Sequence, residues 1–194
     1  MDWLHRAEIE DGILLSRPAT PDRFGDLETV MGEQAVTRRC FCMHWRRPQG
    51  GYGDERPNRD RFADVVAEGP PPGLIGYLDD VPVAWVQVGP REEFPTIYRS
   101  HLLKPTDELE AWSVNCFVVR SGFRRRGIAQ ALLDAALAYA GHLGARLVEA
   151  YPVDGVRSSV VDYFTGTLGM FTRRGFEEIE RRNETRPIVR LRLH

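Results

Sequence analysis

The stretch Phe117-Val118-Val119-Arg120-Ser121-Gly122-Phe123-Arg124-Arg125-Arg126-Gly127-Ile128-Ala129 decides how this chain is read. An apolar run leads into three consecutive arginines and a glycine, and QALLDAALAYA (130–140) follows with helical spacing. Ile128, Leu132, Ala136 and Ala140, with Leu133 and Leu137, fall on one face, and Gly144 is placed to end the helix. A strand over Ala111–Val119 therefore turns straight into a helix starting at Ile128. The first amides of a helix have no partner within it and sit at the positive end of its dipole. Small residues at Gly127 and Ala129 let an anionic group approach that backbone, and flanking guanidinium groups add charge. The turn suits a phosphorylated ligand. Neither G-x-G-x-x-G nor G-x-x-x-x-G-K-[ST] is present, so it is not one of the two common nucleotide signatures.

Composition narrows the class. With 194 residues, 42% of them apolar and 28% charged, the chain suits one globular domain, taken as residues 1–194 with a core over about 15–193. No apolar run approaches the roughly 20 residues that span a bilayer. The N-terminal MDWLHRAEIEDG lacks a basic, then apolar, leader, and three cysteines is an odd number. A reduced, cytoplasmic protein is expected, away from membranes. The net charge of −2 conceals an asymmetry: residues 1–119 carry 13 basic and 20 acidic side chains, residues 120–194 carry 13 and 8. That is too mild for a nucleic-acid binder but suits a local anion site in the second half.

Outward from the turn, residues 20–44 read as one or two helices, 46–60 as a loop and Arg61–Glu68 as a short helix. Gly73–Leu78 and Val81–Val88 form a hairpin around Asp79-Asp80. Residues 90–109 are a polar connection, long for a compact domain without a functional reason. Ala145–Tyr151 is a buried strand, Asp162–Arg174 a helix, and Phe176–Arg182 with Pro187–Leu193 a closing strand pair. The layout is α/β or α+β around one sheet.

The hexamer Arg124–Ala129 has the form Q/R-x-x-G-x-G/A, and here the chain resembles the GNAT superfamily of acyl-CoA-dependent N-acyltransferases. LIGYLDDVPVAW resembles that family's recurrent hairpin, and MFTRRGFEEI resembles its last helix and following strand. The resemblance implies a central, mostly antiparallel mixed sheet splayed between Ala111–Val119 and Ala145–Tyr151, flanked by helices. It implies acetyl-CoA as cosubstrate, no metal, and direct attack by a primary amine on the thioester. Phe117, Val118 and Val119 would meet pantetheine. Arg124, Arg125, Arg126, Gly127, Ile128 and Ala129 would hold the pyrophosphate, with Arg173 within reach of the adenosine phosphate.

Two positions depart from the family pattern. The usual acid, a tyrosine four residues before Gly175-Phe176, is Phe171, and the frequent glutamate of the central strand is Ser113. Tyr163 or Tyr151 is the expected acid, and Glu110 the expected base, with Glu108 and His101 as alternatives. The missing tyrosine leaves a second reading open, a non-catalytic acyl-CoA sensor on the same fold.

Cys40-Phe41-Cys42-Met43-His44-Trp45 has the look of a metal half-site, yet lacks a further ligand at zinc-motif spacing. It reads first as buried packing, then as part of an acceptor pocket with His44 and Trp45 as its candidates. Cys116, inside an apolar strand, is expected to be inert. Asp154 and Tyr151 sit at the carboxyl end of a strand, where ligands collect. Glu149, within a strand, needs a buried partner that the sequence does not name. The acidic excess of residues 1–119 leans toward a cationic acceptor.

Overall fold

A computed structural model describes residues 3–155 and 160–193. The hairpin around Asp79-Asp80 forms as read: both aspartates take left-handed φ, +49° and +60°, as the tight turn requires. It joins β3 (Gly73–Leu78) to β4 (Val81–Pro90). The other strands are β1 (His5–Ile9), β2 (Gly12–Pro18), β5 (Trp112–Val119), β6 (Leu147–Ala150), β7 (Glu177–Glu180) and β8 (Ile188–Arg192). All eight form one mixed sheet in the order β1-β2-β3-β4-β5-β6-β8-β7. Among the described strands, β5 and β6 are the one adjacent pair that runs parallel.

The helices cover both faces. On one side α6 (Ile128–His142) lays Ile128, Leu132, Leu133, Ala136 and Tyr139 onto the sheet, together with Val86, Val114 and Phe117. On the other side lie α1 (Phe24–Gly32), α2 (Ala35–Cys40), α3 (Met43–Arg46), α4 (Asn58–Glu68) and α5 (Pro95–Arg99). Their core holds Met31, Phe41, Phe62, Trp85, Cys116 and Tyr151. Left-handed backbone at Phe41 and Cys42 separates α2 from α3. Among the described residues no helix is long and apolar enough to cross a membrane.

Three expectations change. The core begins earlier than residue 15, because β1 and β2 form a hairpin on the sheet edge. Its alternating charges disguised it, although Asp11-Gly12 is a hairpin turn signal. The 90–109 connection contains α5 and is not simply loop. Asp162–Arg174 is not one helix: a 3-10 turn over Val160–Thr165 stops at Gly166, whose φ of +76° breaks the spiral, and α7 (Leu168–Thr172) restarts beyond extended Thr167.

The partner of Glu149 is now visible. This fully buried carboxylate accepts from Arg91 Nη1 at 2.9 Å on one oxygen, and from Arg190 Nη2 at 2.6 Å and Nε at 3.0 Å on the other. Arg190 also reaches Asp107 at 2.7 Å, and Arg91 reaches the Leu109 carbonyl at 2.7 Å. Burial is the largest influence on Arg91 and opposes its charge, but the hydrogen bonds to Glu149 and Tyr98 and the Glu149 charge together outweigh it and raise its pKa above the usual arginine value. The cluster straps the 100–110 connection to β6.

Next to this clamp the sheet opens. β5 and β6 pair only at Trp112–Val148, Ser113–Glu149 and Val114–Ala150. The chain then reaches Pro152, which has no amide hydrogen to continue the ladder. The β4–β5 register also slips beside Asn115, between the Gln87–Cys116 and Val88–Val114 pairs. Among the described residues, β5 from Asn115 onward therefore has β4 on one side and no strand on the other. Replacing Glu149 by alanine leaves two buried guanidinium groups without their carboxylate, so urea denaturation is expected to show a loss of about 3–5 kcal/mol. A loss below about 1 kcal/mol, the range of an exposed pair, would contradict this role.

Candidate active site

The open edge of β5 separates two hollows. On the α6 side, Phe117 and Val119 line a groove of about 650 Å³ that continues past Arg124, Arg125, Gly127 and Ala129. Positive φ at Arg125 (+61°) and Gly127 (+79°) coils the backbone just ahead of α6. No side chain caps the first turn of that helix, so its leading amides have no side-chain partner of that kind. A Cβ built on Gly127 meets no atom within 4 Å, so a side chain there would project into space above the cradle.

The three arginines differ. Arg124 donates from Nε to the Val119 carbonyl at 3.0 Å, tying the turn to the end of β5. Arg126 reaches away to Asp11 at 3.1 Å and lies over Phe123. Arg125 borders the groove and is exposed. Arg173 borders it too, 3.4 Å from Gln130 Oε1.

On the opposite face, Cys116 and Val118 line a second cavity of about 400 Å³. Its other walls come from α1 to α3, from the strapped 100–103 segment, and from Phe164, Thr165 and Arg186. Phe164 borders both hollows. His44 and Trp45 line the second cavity. Trp45 is stacked on Tyr151, with ring centroids 6.3 Å apart, and His44 packs edge-on against Trp45 at 5.2 Å. The surrounding protein, then Arg47 and Arg99, push the His44 pKa below the usual histidine value. The imidazole is therefore neutral at pH 7.

Cys40 and Cys42 line the same cavity, and Cys42 lies 3.4 Å from Cys116, sulfur to sulfur. Burial, and then the neighbouring Cys116, pushes the Cys42 thiol well up. Packing and pocket lining are thus one role for this segment. Among the described residues no group of three or more His, Cys, Asp or Glu side chains is arranged to hold a metal ion.

The remaining expected residues scatter. Tyr163 lines the cofactor-side groove next to Phe164. Tyr151 is fully buried, and its hydroxyl donates to Glu149 at 3.3 Å; burial, then the Glu149 charge, pushes its pKa well up. Glu110 and Glu108 border a separate depression with Arg91 and Tyr98, so neither reaches the hollows beside β5. His101 lies outside both hollows although Ser100 and Leu102 do not. Ser113 is buried. Phe171 is buried, edge-on to Phe117 and Phe176. Asp154 is paired with Arg181 at 2.9 Å. Phe164, Thr165 and Arg186 were not anticipated. The sequence signals near the second cavity were the Cys40–Trp45 cluster and the length of the 90–109 connection, which supplies Ser100, Leu102 and Leu103.

The uncapped start of α6 lies beside the gap in the sheet, with a second cavity on the opposite face of β5. The chain belongs to the acetyltransferase (GNAT) family, whose sequence model matches residues 39–176. Comparison with curated proteins gives no match. Among solved structures the chain is similar to the GNAT domain of S. lividans PAT, with 18% identity and a TM-score of 0.61 over 98% of this chain and 97% of that one. It is similar to a GNAT-family acetyltransferase from Listeria monocytogenes 4b F2365, with 11% identity and a TM-score of 0.60 over 97% of this chain and 100% of that one. It is also similar to a chain of the NatC complex bound to Gag peptide and CoA, with 13% identity and a TM-score of 0.52 over 93% of this chain and 99% of that one. At these identities the likeness is one of fold.

The His44 environment has a direct readout. An NMR titration is expected to place its midpoint below the ordinary value of about 6.5, and Arg47→Gln is expected to raise it. A wild-type midpoint at or above that value would contradict the geometry.

Proposed function

We propose that this protein is an N-acetyltransferase that passes an acetyl group from acetyl-CoA to a primary amine by direct attack within a ternary complex. One observation carries the reading: the groove along Phe117, Val119 and the start of α6 and the second cavity lie on opposite faces of β5, and Phe164 lines both. A sensor needs only the first hollow; the second favours transfer.

Acetyl-CoA, when bound, supplies an acetyl group activated as a thioester. The amides from Arg125 to Ala129 hold its pyrophosphate, with Ile128 beginning the helix behind them and Arg124 fixing the turn. Arg126 acts through its backbone, since its guanidinium is engaged by Asp11. The unpaired edge of β5 at Phe117, Val118 and Val119 lies along the pantetheine. His44, neutral and at the rim of the second cavity, accepts the proton of the attacking amine. Tyr163, beside the gap, gives a proton to the departing thiolate. Trp45 forms part of the acceptor wall. Glu110 and Tyr151 take no part, the first for distance from the hollows and the second for burial against Glu149.

Calorimetry and thermal shift with CoA test the cradle. Ligand at a hundredfold over its Kd is expected to add about 2.7 kcal/mol of apparent stability. Gly127→Val, which adds a branched side chain where φ is positive, should weaken CoA by more than about tenfold, whereas Arg126→Ala should cost little. Unchanged affinity in Gly127→Val would overturn the cradle.

Tyr163→Phe should lower kcat by about 10²–10⁴-fold at unchanged CoA affinity. His44→Gln should remove the acid limb of the kcat/KM profile. That limb falls as pH drops through the depressed His44 pKa, because only the neutral ring accepts a proton. Wild-type kcat in both variants would refute the assignment.

A further inference from the structure

We infer that Cys42 and Cys116 form a modification site, a thiol pair that a peroxide closes to a disulfide, and that closure narrows the second cavity. The two sulfurs lie 3.4 Å apart although 74 residues separate them in the chain. A disulfide spans about 2.0 Å, so the bond needs them only about 1.4 Å closer. Both thiols are free, and both line the cavity of about 400 Å³, so a peroxide entering it meets the pair.

The two cysteines sit on parts of unequal stiffness. Cys116 lies within β5, paired with Gln87 of β4. Cys42 lies at the junction of α2 and α3, helices of six and four residues. That junction runs through left-handed backbone at Phe41 and Cys42, with φ of +44° and +54°. Non-glycine residues hold such backbone under strain, so the junction is the side that yields. It is tied to β4 by Trp85 Nε1, which donates to Cys42 Sγ at 3.2 Å, and by Gln87 Nε2, which donates to the Cys42 carbonyl at 3.3 Å.

Closure therefore draws the junction toward β5. His44 and Trp45 belong to α3, the helix that Cys42 leads into, and both line the cavity, so its wall moves with the bond. The groove along Phe117, Val119 and Gly127 lies on the opposite face of β5, and neither cysteine lines it. On the acetyl-transfer reading, on which this functional consequence rests, oxidation impairs use of the acceptor and spares CoA.

The chemistry takes two steps. One thiol attacks peroxide, whose oxygen–oxygen bond breaks, giving a sulfenic acid and water. The second sulfur then displaces the hydroxyl, forming the sulfur–sulfur bond and releasing a second water. The pair is oxidised by two electrons and the peroxide is reduced by two. Burial keeps the Cys42 thiol protonated, so the first step is slow. The second is fast because its partner is already in contact. A dithiol reductant reverses the bond by thiol–disulfide exchange.

The test treats the full chain with hydrogen peroxide and maps the product by peptide mass spectrometry. Expected are loss of two hydrogens, a Cys42–Cys116 cross-linked peptide and one remaining free thiol of the three. Cys40→Ser should still form the bond, whereas Cys42→Ala and Cys116→Ala should each abolish it. The wild-type map decides the site even where a core substitution unfolds the chain. Amide exchange over residues 35–47 should slow on oxidation, and dithiothreitol should restore it. With 2-phenylethylamine, L-leucine and spermidine as amines, acetylated product is followed by mass spectrometry. Any amine turned over by the reduced protein should lose about tenfold or more in kcat/KM on oxidation, at unchanged Kd for CoA. No bond, or a bond through Cys40, would overturn the site. A Cys42–Cys116 bond that alters neither amide exchange over residues 35–47 nor turnover would overturn the narrowing of the cavity. Failure of the reduced protein to bind CoA would instead bring down the acetyl-transfer reading and leave the mapped disulfide standing.

Discussion

Everything functional in this molecule depends on where β5 and β6 stop being partners. Three residue pairs join them, and the last, Val114 with Ala150, is followed by a proline on one strand and a slipped register on the other. Parallel strands left to themselves would continue to pair, so the separation needs an anchor. Glu149 supplies it one residue before the break, with both carboxylate oxygens held by arginines from β8 and from the connection after β4. A buried charge held this way is costly to disrupt on one side only, which makes the position of the gap hard to shift. The same arginines fasten the 100–110 connection, whose Leu102 and Leu103 then close the second cavity. One cluster thus fixes both the opening and the wall behind it.

The electrostatics on the two sides have different origins. On the α6 side the attraction for an anion comes chiefly from the backbone, because Arg126 is drawn off to Asp11 and Arg124 to the end of β5. On the other side Arg186 is held by Thr165 and the Tyr151 carbonyl, while Arg39 and Arg47 border the adjoining hollow. In the proposed reading His44, whose pKa is depressed by the surrounding protein and then by Arg47 and Arg99, is the neutral proton acceptor.

Local chemistry was legible in the sequence and long-range assembly was not. The strand, arginine-glycine turn and helix of residues 111–142 could be read because spacing, capping and φ demands are local. The hairpin at Asp79-Asp80 was readable for the same reason. The β1–β2 hairpin escaped because an edge strand exposes alternate charged residues and lacks an apolar signature. The break at Gly166 was masked by helix-compatible neighbours on both sides. The partners of Glu149 lie 58 and 41 residues away, a relation no local pattern carries. The second cavity is assembled from five separated segments, so Arg186 carried no signal, whereas His44 and Trp45 did through their cluster. The tyrosine expected four residues before Gly175 illustrates the limit well: Phe171 belongs to the core, and the hydroxyl at the groove comes from Tyr163, on the far side of the helix break.

The central claim is that the unpaired edge of β5 and the open start of α6 form one continuous binding surface for CoA. Amide hydrogen exchange on the full chain, with and without acetyl-CoA, tests it most directly. The account predicts that exchange slows together at residues 117–119 and 125–130, while the β1–β2 hairpin is unaffected. Ligand binding with unchanged exchange in those two segments would contradict it.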